Sequence, residues 1–253
     1  LEFIRVGHSV VDGVGIAIHT PHGLIVHTGD YKISYGSGGG TTDVNRFAGF
    51  GEKGVLALLS DSTNVEKEGY TISDKEIGET LDKIVIDSHG RIIVALFASN
   101  IARIQLIVNI ARNRGKKVVF NGRSIEVSVN IARSLGHLTI PADTEIGIEQ
   151  VSDFADDEVI IITTGSQGEP MSTLARMASG THKQIKAKAG DTVILSSKFI
   201  PGNEKAIGKI INSLYRKGAD VIYEKISDIH VSGHAFREEL KLMIKLTKPE
   251  YFI

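Results

Sequence analysis

The chain contains no cysteine. Disulfides and thiolate metal sites are therefore excluded, and a bound metal has to rely on histidine, aspartate, glutamate or backbone oxygen. Also missing is any apolar run near the roughly 18 residues that read as a membrane span, so no membrane partner is expected. The opening LEFIRVGHS lacks the charged segment and long apolar stretch of a signal peptide. Together these absences fit a cytoplasmic protein. The net charge is only −1, so a polyanionic partner must be met by a local basic patch and not by the overall field. No Walker loop is present, and Gly165-Ser166-Gln167-Gly168 lacks the dinucleotide-binding GxGxxG pattern. Internal repeats are absent, and the one low-complexity stretch is SYGSGGGTT at 34–42. Its run Gly36–Gly40 reads either as a natural surface loop or as an engineered linker.

What is present is an ordinary globular composition, 42% apolar and 23% charged over 253 residues. That is enough for one large α/β domain or two smaller ones with a substantial core. The chain opens in strand-like Leu1–Val6 and stops in strand-like Tyr251-Phe252-Ile253, which reads as a fragment.

The organising stretch is GHSVVDGVGIAIHTPHGLIVHTGDYK, Gly7 to Lys32. Two apolar runs, Val14–Ile18 and Leu24–Val26, flank Thr20-Pro21-His22-Gly23 and read as a β-hairpin. His8 precedes the first strand and Asp30 follows the second. A hairpin returns its ends to one edge, so this imidazole and carboxylate can meet there and suit a divalent metal such as zinc. A pair of polar residues at strand ends is the structural alternative.

Beyond the glycine run, Asp43 caps a short helix to about Phe50, and the buried-strand run Val55–Leu59 leads to Ser60-Asp61-Ser62-Thr63-Asn64. The pattern then alternates: helix 74–88, strand 92–97, helix 101–114 closed by Gly115, strand 117–120, helix 125–135. A loop region follows to about 158, then strand 159–163, helix 171–179, strand 192–195, helix 204–217, strand 220–223 and helix 235–247. Apolar residues at 101, 104, 107, 108 and 111 keep the 3.6 period of a helix. Short apolar strands separated by helices predict βαβ units, hence an α/β chain whose middle is a mainly parallel, doubly wound sheet.

Ligands of such sheets bind outside the strands' carboxyl ends. The segments predicted there are Ser60–Asn64, Ala98-Ser99-Asn100, Asn121-Gly122-Arg123-Ser124, Thr163–Glu169 and Ser196-Ser197-Lys198. They are small and polar, and several lead into helix N-termini, a setting that favours phosphate. Arg103, Arg123, Lys198 and Lys205 are basic candidates. In HVSGHA, at a strand-to-helix turn, His234 is expected to face the site and His230 to be structural. His19, His22, His27, His89, His137 and His182 are read as surface or packing residues.

Taken together, GHSVVDGVGIAIHTPHGLIVHTGDYK, GVLALLSDSTN, FASNIARIQ, NGRS, TGSQGEPMSTLARMA, ILSSKFIPGNE and DIHVSGHAFREELKLMIKLTKPEYFI resemble the ribonuclease J family. These are β-CASP nucleases with a metallo-β-lactamase fold. The resemblance implies that His8 is a zinc ligand and that Asp30 bridges two zincs. It makes Asp61 the acidic residue opening the β-CASP signature and His234 the histidine of the second signature, with Asp30 and His234 the catalytic candidates. Ser232, Gly233 and His234 would contact RNA phosphates, joined by Asp61, Ser62, Ser99, Asn100, Arg123 and Ser166. The implied organisation is a partial metallo-β-lactamase core (1–69 and 227–253) interrupted by a β-CASP domain (70–226).

The implied activity is zinc-dependent 5′-to-3′ exonucleolytic and endonucleolytic cleavage of single-stranded RNA in rRNA processing and mRNA decay. The implied assembly is a homodimer, homotetramer or paralogue hetero-oligomer. Departures from the family pattern bear on this. The HxHxDH motif expected before His8 and the VHGE-like segment expected after Ile253 are absent, Ala102 stands where the family usually carries His, and the glycine run replaces a more structured loop. The intact protein would hold two zincs per active site and this chain few or none, making it an inactive fragment. Two alternatives are a non-catalytic RNA-binding or assembly subunit of the same fold and an unrelated nucleotide-binding α/β module.

Overall fold

The computed structural model describes residues 1–33, 40–223 and 232–253. The glycine run up to Gly39, His230 and the expected junction at 226/227 lie outside the described residues. In chain order, β1 (Glu2–Arg5), β2 (Val14–Thr20) and β3 (Gly23–His27) precede α1 (Val44–Lys53), β4 (Val55–Leu59) and α2 (Asp74–Asp87). Next come β5 (Ile92–Ala95), α3 (Ile101–Asn113), β6 (Lys117–Asn121), α4 (Arg123–Ser134) and β7 (Val159–Thr163). The series closes with α5 (Thr173–Ser179), β8 (Thr192–Leu195), α6 (Glu204–Arg216), β9 (Asp220–Ile222), α7 (Arg237–Thr247) and β10 (Tyr251–Phe252). These elements form two compact units, Leu1–Asp74 with Val231–Ile253, and Lys75–His230.

The first unit is built on a mixed sheet ordered β1-β2-β3-β4-β10. The β2–β3 hairpin forms as its sequence dictates. Thr20 pairs with Gly23 around Pro21-His22, and the Thr20 hydroxyl donates to the Gly23 carbonyl at 2.8 Å. β4 then joins β3 in parallel, and β10 joins β4. Asp43 caps α1 by accepting from the Arg46 amide. Phe47 and Phe50 of α1 pack with Leu240 and Met243 of α7 over Val26 and Leu58 of the sheet. Each such burial contributes about 1.5–3 kcal/mol.

In the second unit the sheet is wholly parallel, ordered β6-β7-β5-β8-β9. All five residues of β7, Val-Ile-Ile-Ile-Thr, are buried, so both faces of the sheet are covered. Ile101, Ile104, Ile107, Val108 and Ala111 of α3 are all buried, as their period requires. The expected α/β class with a parallel sheet is the observed one. From β5 the chain moves to one side for β6 and β7 and to the other for β8 and β9, which places the switch in direction beside β5. Helix α5 starts two residues later than its sequence predicts because the Ser172 hydroxyl accepts from the Ala175 amide and caps it there, leaving Met171 exposed. At the amino ends of β5 and β8, Arg91 forks onto Asp191, Nε to Oδ1 at 3.0 Å and a terminal nitrogen to Oδ2 at 2.9 Å.

His182 is buried in this unit, and its Nδ1 accepts the backbone N–H groups of Gln184 and Ile185. Burial, and then the Arg176 charge, hold its pKa below the ordinary value. The unfolded chain takes up this proton near pH 6.5, whereas the folded chain resists it to lower pH. The associated stability is thus present above about pH 6.5 and is lost as pH falls through the lower folded value. His182→Asn, whose Oδ1 can accept the same two amides, is expected to flatten the decline in melting temperature between pH 7.5 and 5. An unchanged slope in the variant assigns the acid sensitivity elsewhere.

Candidate metal and phosphate site

Three loops of the first unit converge at one edge of its sheet. β3 ends in Thr28-Gly29-Asp30, where the Thr28 amide donates to Leu59 O at the end of β4. The Asp61 amide donates to the buried Thr28 hydroxyl at 3.0 Å, so the 28–30 and 60–64 segments are stitched together. Gly29 sits at φ 62°, where a Cβ would meet Val14 O at 2.7 Å. Only glycine allows that tight exit, and it delivers the exposed Asp30. The third loop, 232–236, is held by its own backbone: the Ala235 amide donates to Tyr31 O at 2.6 Å.

The hairpin ends do meet, and a third residue joins them. His8, Asp30 and His234 each place a ligand atom within 4.8 Å of the others. Neither imidazole is free to rotate. His8 Nδ1 lies 2.8 Å from Gly233 O and must donate to it, which leaves Nε2 as its lone-pair nitrogen, with the Ser9 hydroxyl 3.3 Å away as a donor to it. His234 Nδ1 donates to Asp61 Oδ2 at 2.8 Å. Gly233 has no room for a side chain, since a Cβ there would stand 2.5 Å from His8 Cε1. Burial pushes the Asp61 carboxyl upward. The hydrogen bonds from His234 and from the Thr63 amide and hydroxyl outweigh this and hold its pKa at about 2. Asp61 is therefore an anion across the working pH range, fixed against a histidine.

His8, anchored through Nδ1, and the exposed Asp30 are donor types that zinc takes, and the His234 imidazole stands within 4.8 Å of both. Histidines whose other nitrogen is anchored on a carbonyl or carboxylate are the usual supporting arrangement of such sites. His234, read from the sequence as a phosphate contact, thus also lies within donor reach of the His8–Asp30 pair. Around it, Ser232 and Gly233 are buried, while Ser62 is exposed.

The other sequence candidates lie in the second unit, at the carboxyl ends of its strands. Ser99, Arg123, Lys198 and Lys205 are exposed. Asn100 is buried, and its Oδ1 accepts from the Arg103 amide to cap α3. Arg103 is itself buried, with its guanidinium on the Ser196 hydroxyl at 3.0 Å. Ser166 is also buried. A cavity of about 320 Å³ opens beside β5 and β7, lined by Leu96, Phe97, Ala98, Ser124, Thr164 and Glu169 among others. It is the kind of crevice expected where strand order reverses.

Two residues of the first unit carry no individual role in the sequence reading: Asn64, named only as the end of the Ser60–Asn64 segment, and Glu239. Asn64 closes the SDSTN segment, and Glu239 stands three residues after Phe236 at the start of α7, the spacing from which a side chain reaches back to the preceding amide. That spacing was the one available signal.

Two family models match the chain. The Ribonuclease J, beta-CASP domain model covers residues 89–214, and the Zn-dependent metallo-hydrolase RNA specificity domain model covers 218–253. Ribonuclease J 1 of Streptococcus pyogenes is 46% identical over the whole chain, which spans 45% of that protein. Ribonuclease J of Thermus thermophilus is 45% identical and Ribonuclease J2 of Bacillus subtilis 42%, again over the whole chain and over 44% and 46% of those proteins. The chain therefore spans less than half the length of these relatives. A crystal structure of a protein of unknown function from Enterococcus faecalis superposes with a TM-score of 0.66 at 15% identity. That match covers 99% of this chain and 56% of the other, and it bears on the fold alone. With a parallel β-CASP sheet in the second unit and full-length identity above two fifths to several ribonucleases J, this chain belongs to the ribonuclease J family.

Proposed function

We propose that the protein carrying this chain is a zinc-dependent ribonuclease that cleaves single-stranded RNA both from the 5′ end and internally. The observation that supports this best is the gathering of His8, Asp30 and His234, with both histidines anchored by Gly233 O and Asp61. In this reading residues 1–69 and 227–253 belong to a metallo-β-lactamase core and 70–226 to the β-CASP domain. His8 and Asp30 would hold metal. When bound, zinc supplies Lewis acidity toward a phosphodiester and lowers the pKa of water. Asp61 accepts the Nδ1–H of His234, so that Nε2, when it carries the second proton of the imidazolium, is the atom that donates to the phosphate. Ser232, Gly233 and His234, together with the polar strand ends of the second unit, take up the RNA backbone with few base contacts. Two zincs per site, a homo-oligomer or paralogue hetero-oligomer, and a cytoplasmic location in RNA processing and decay complete the proposal.

Substitution separates the roles. His234→Ala is expected to weaken single-stranded RNA binding about ten- to a hundredfold, the loss of a charge-assisted hydrogen bond, with zinc content unchanged. His8→Ala and Asp30→Ala are expected to lower zinc content and leave RNA affinity near normal. The measurements are elemental analysis after dialysis and RNA titration at fixed salt, since phosphate binding is salt-dependent. RNA binding that survives without any zinc uptake would favour a non-catalytic RNA-binding subunit. RNA affinity indifferent to His234 would remove the phosphate role.

A further inference from the structure

Ser232 carries a hydroxyl whose polarity is set by its neighbours. Asn64 Nδ2 lies 2.6 Å from Ser232 Oγ and 3.2 Å from the His234 carbonyl oxygen. A carbonyl can only accept, so the amide group must present its nitrogen on this side, and Asn64 therefore donates to Ser232 as well. The His234 backbone N–H donates to the same Oγ at 3.1 Å. Two donors occupy both lone pairs of Ser232. What remains to the hydroxyl is its proton, which makes it a donor only. Asn64 itself is 3% exposed, and a parallel bridge to Phe236 fixes its backbone. It has little freedom to relax the arrangement.

We propose that Asn64 is a positioning residue that locks the Ser232 hydroxyl as an outward hydrogen-bond donor, so that the loop accepts an anionic phosphate oxygen. This rests on the reading of Ser232 as a phosphate contact. A serine without such a lock serves equally as donor or acceptor and does not discriminate between a phosphate and a protonated group. With the lock, the hydroxyl is oriented before the ligand arrives, and no rotamer is lost on binding. The 60–64 segment then supports the site twice, Asp61 by holding the Nδ1–H of His234 and Asn64 by fixing the polarity of Ser232.

The test is a double-mutant cycle on a 5′-monophosphorylated single-stranded oligoribonucleotide at fixed salt, with melting temperature followed in parallel. Asn64→Asp keeps the shape but puts an acceptor against Ser232, which turns the hydroxyl inward. Its RNA affinity is expected to fall about tenfold or more, to a level near that of Ser232→Ala. Combining the two substitutions should add little. Should the buried aspartate unfold the chain, Asn64→Leu carries the same test with a smaller expected loss, about three- to tenfold. Affinity unchanged in a folded Asn64 variant, while Ser232→Ala is weakened, overturns the lock and leaves the phosphate role standing. A further full loss on adding Asn64→Asp to Ser232→Ala also overturns it, because the carboxylate then acts by charge and not through the hydroxyl. Normal affinity in Ser232→Ala removes the phosphate reading and the lock together.

Discussion

Glu239→Ala is expected to lower the stability of the first unit by about 3 kcal/mol or more, and the isosteric Glu239→Gln should recover little of it. The Glu239 side chain is wholly buried and accepts four hydrogen bonds. Oε1 takes the Ile33 amide at 2.7 Å and the Thr71 hydroxyl at 3.0 Å, and Oε2 takes the amides of Thr71 at 2.8 Å and Phe236 at 2.9 Å. Truncation orphans three backbone N–H groups, each costing about 1–3 kcal/mol when left buried without a partner. Glutamine has only one accepting oxygen. Whichever way its amide is turned, an NH₂ group faces at least one backbone donor. The measurement is thermal melting of the full chain with hydrogen exchange at the Ile33, Thr71 and Phe236 amides. The same three segments bracket Asp30 and His234, so the variants should lose zinc and RNA binding as well. A near-normal Glu239→Gln protein would mean that packing, and not acceptor count, accounts for this side chain.

Arg91→Met is expected to destabilise the second unit by about 3–5 kcal/mol, and Arg91→Met with Asp191→Leu to recover most of that loss. Arg91 is 8% exposed and Asp191 not at all. Besides its fork on Asp191, the guanidinium donates to Lys186 O at 3.0 Å, and Asp191 Oδ2 also accepts the Lys188 amide at 2.9 Å. Removing one member leaves an uncompensated buried charge. Removing both replaces an ion pair by apolar contact, which costs little where the volume is kept. Denaturant melts of the two variants and of the unaltered chain decide this. A double variant no better than the single one would show that the backbone contacts to Lys186 and Lys188, and not the ion pair, dominate.

Much of the scaffold could be read from local pattern, and much of the site could not. The hairpin at Thr20–Gly23, the cap at Asp43 and the β7 and β8 strands follow from signals within a few residues. The order β6-β7-β5-β8-β9 does not, because period and turn chemistry say nothing about which parallel strand lies beside which. The hairpin argument brought His8 to Asp30, since both sit at its ends. It could not bring His234, whose anchor Asp61 is 173 positions away. Sequence alone makes Arg103 a basic candidate for the RNA backbone, and gives no sign of its buried partner Ser196, 93 positions away. Asn64 and Glu239 are polar residues in a turn and at a helix start, where such residues are common for local reasons. Their burial, and with it their importance, exists only once distant segments have closed on them.

The first unit is made of two stretches of chain with the whole second unit between them, and that has a consequence for how the protein comes into being. β10 pairs with β4, and α7 packs on α1, only after residues 231–253 have been synthesised. The second unit is continuous and contains its own parallel sheet, so it can fold while the first waits. Loop-closure entropy grows slowly with length, about 0.6 kcal/mol per doubling, so the long insertion is a modest thermodynamic burden but a late kinetic step. His234 reaches Asp61, and Ser232 reaches Asn64, in that last step. A nascent chain therefore cannot make these contacts before residues 232–236 have emerged, and one whose second unit misfolds does not acquire them.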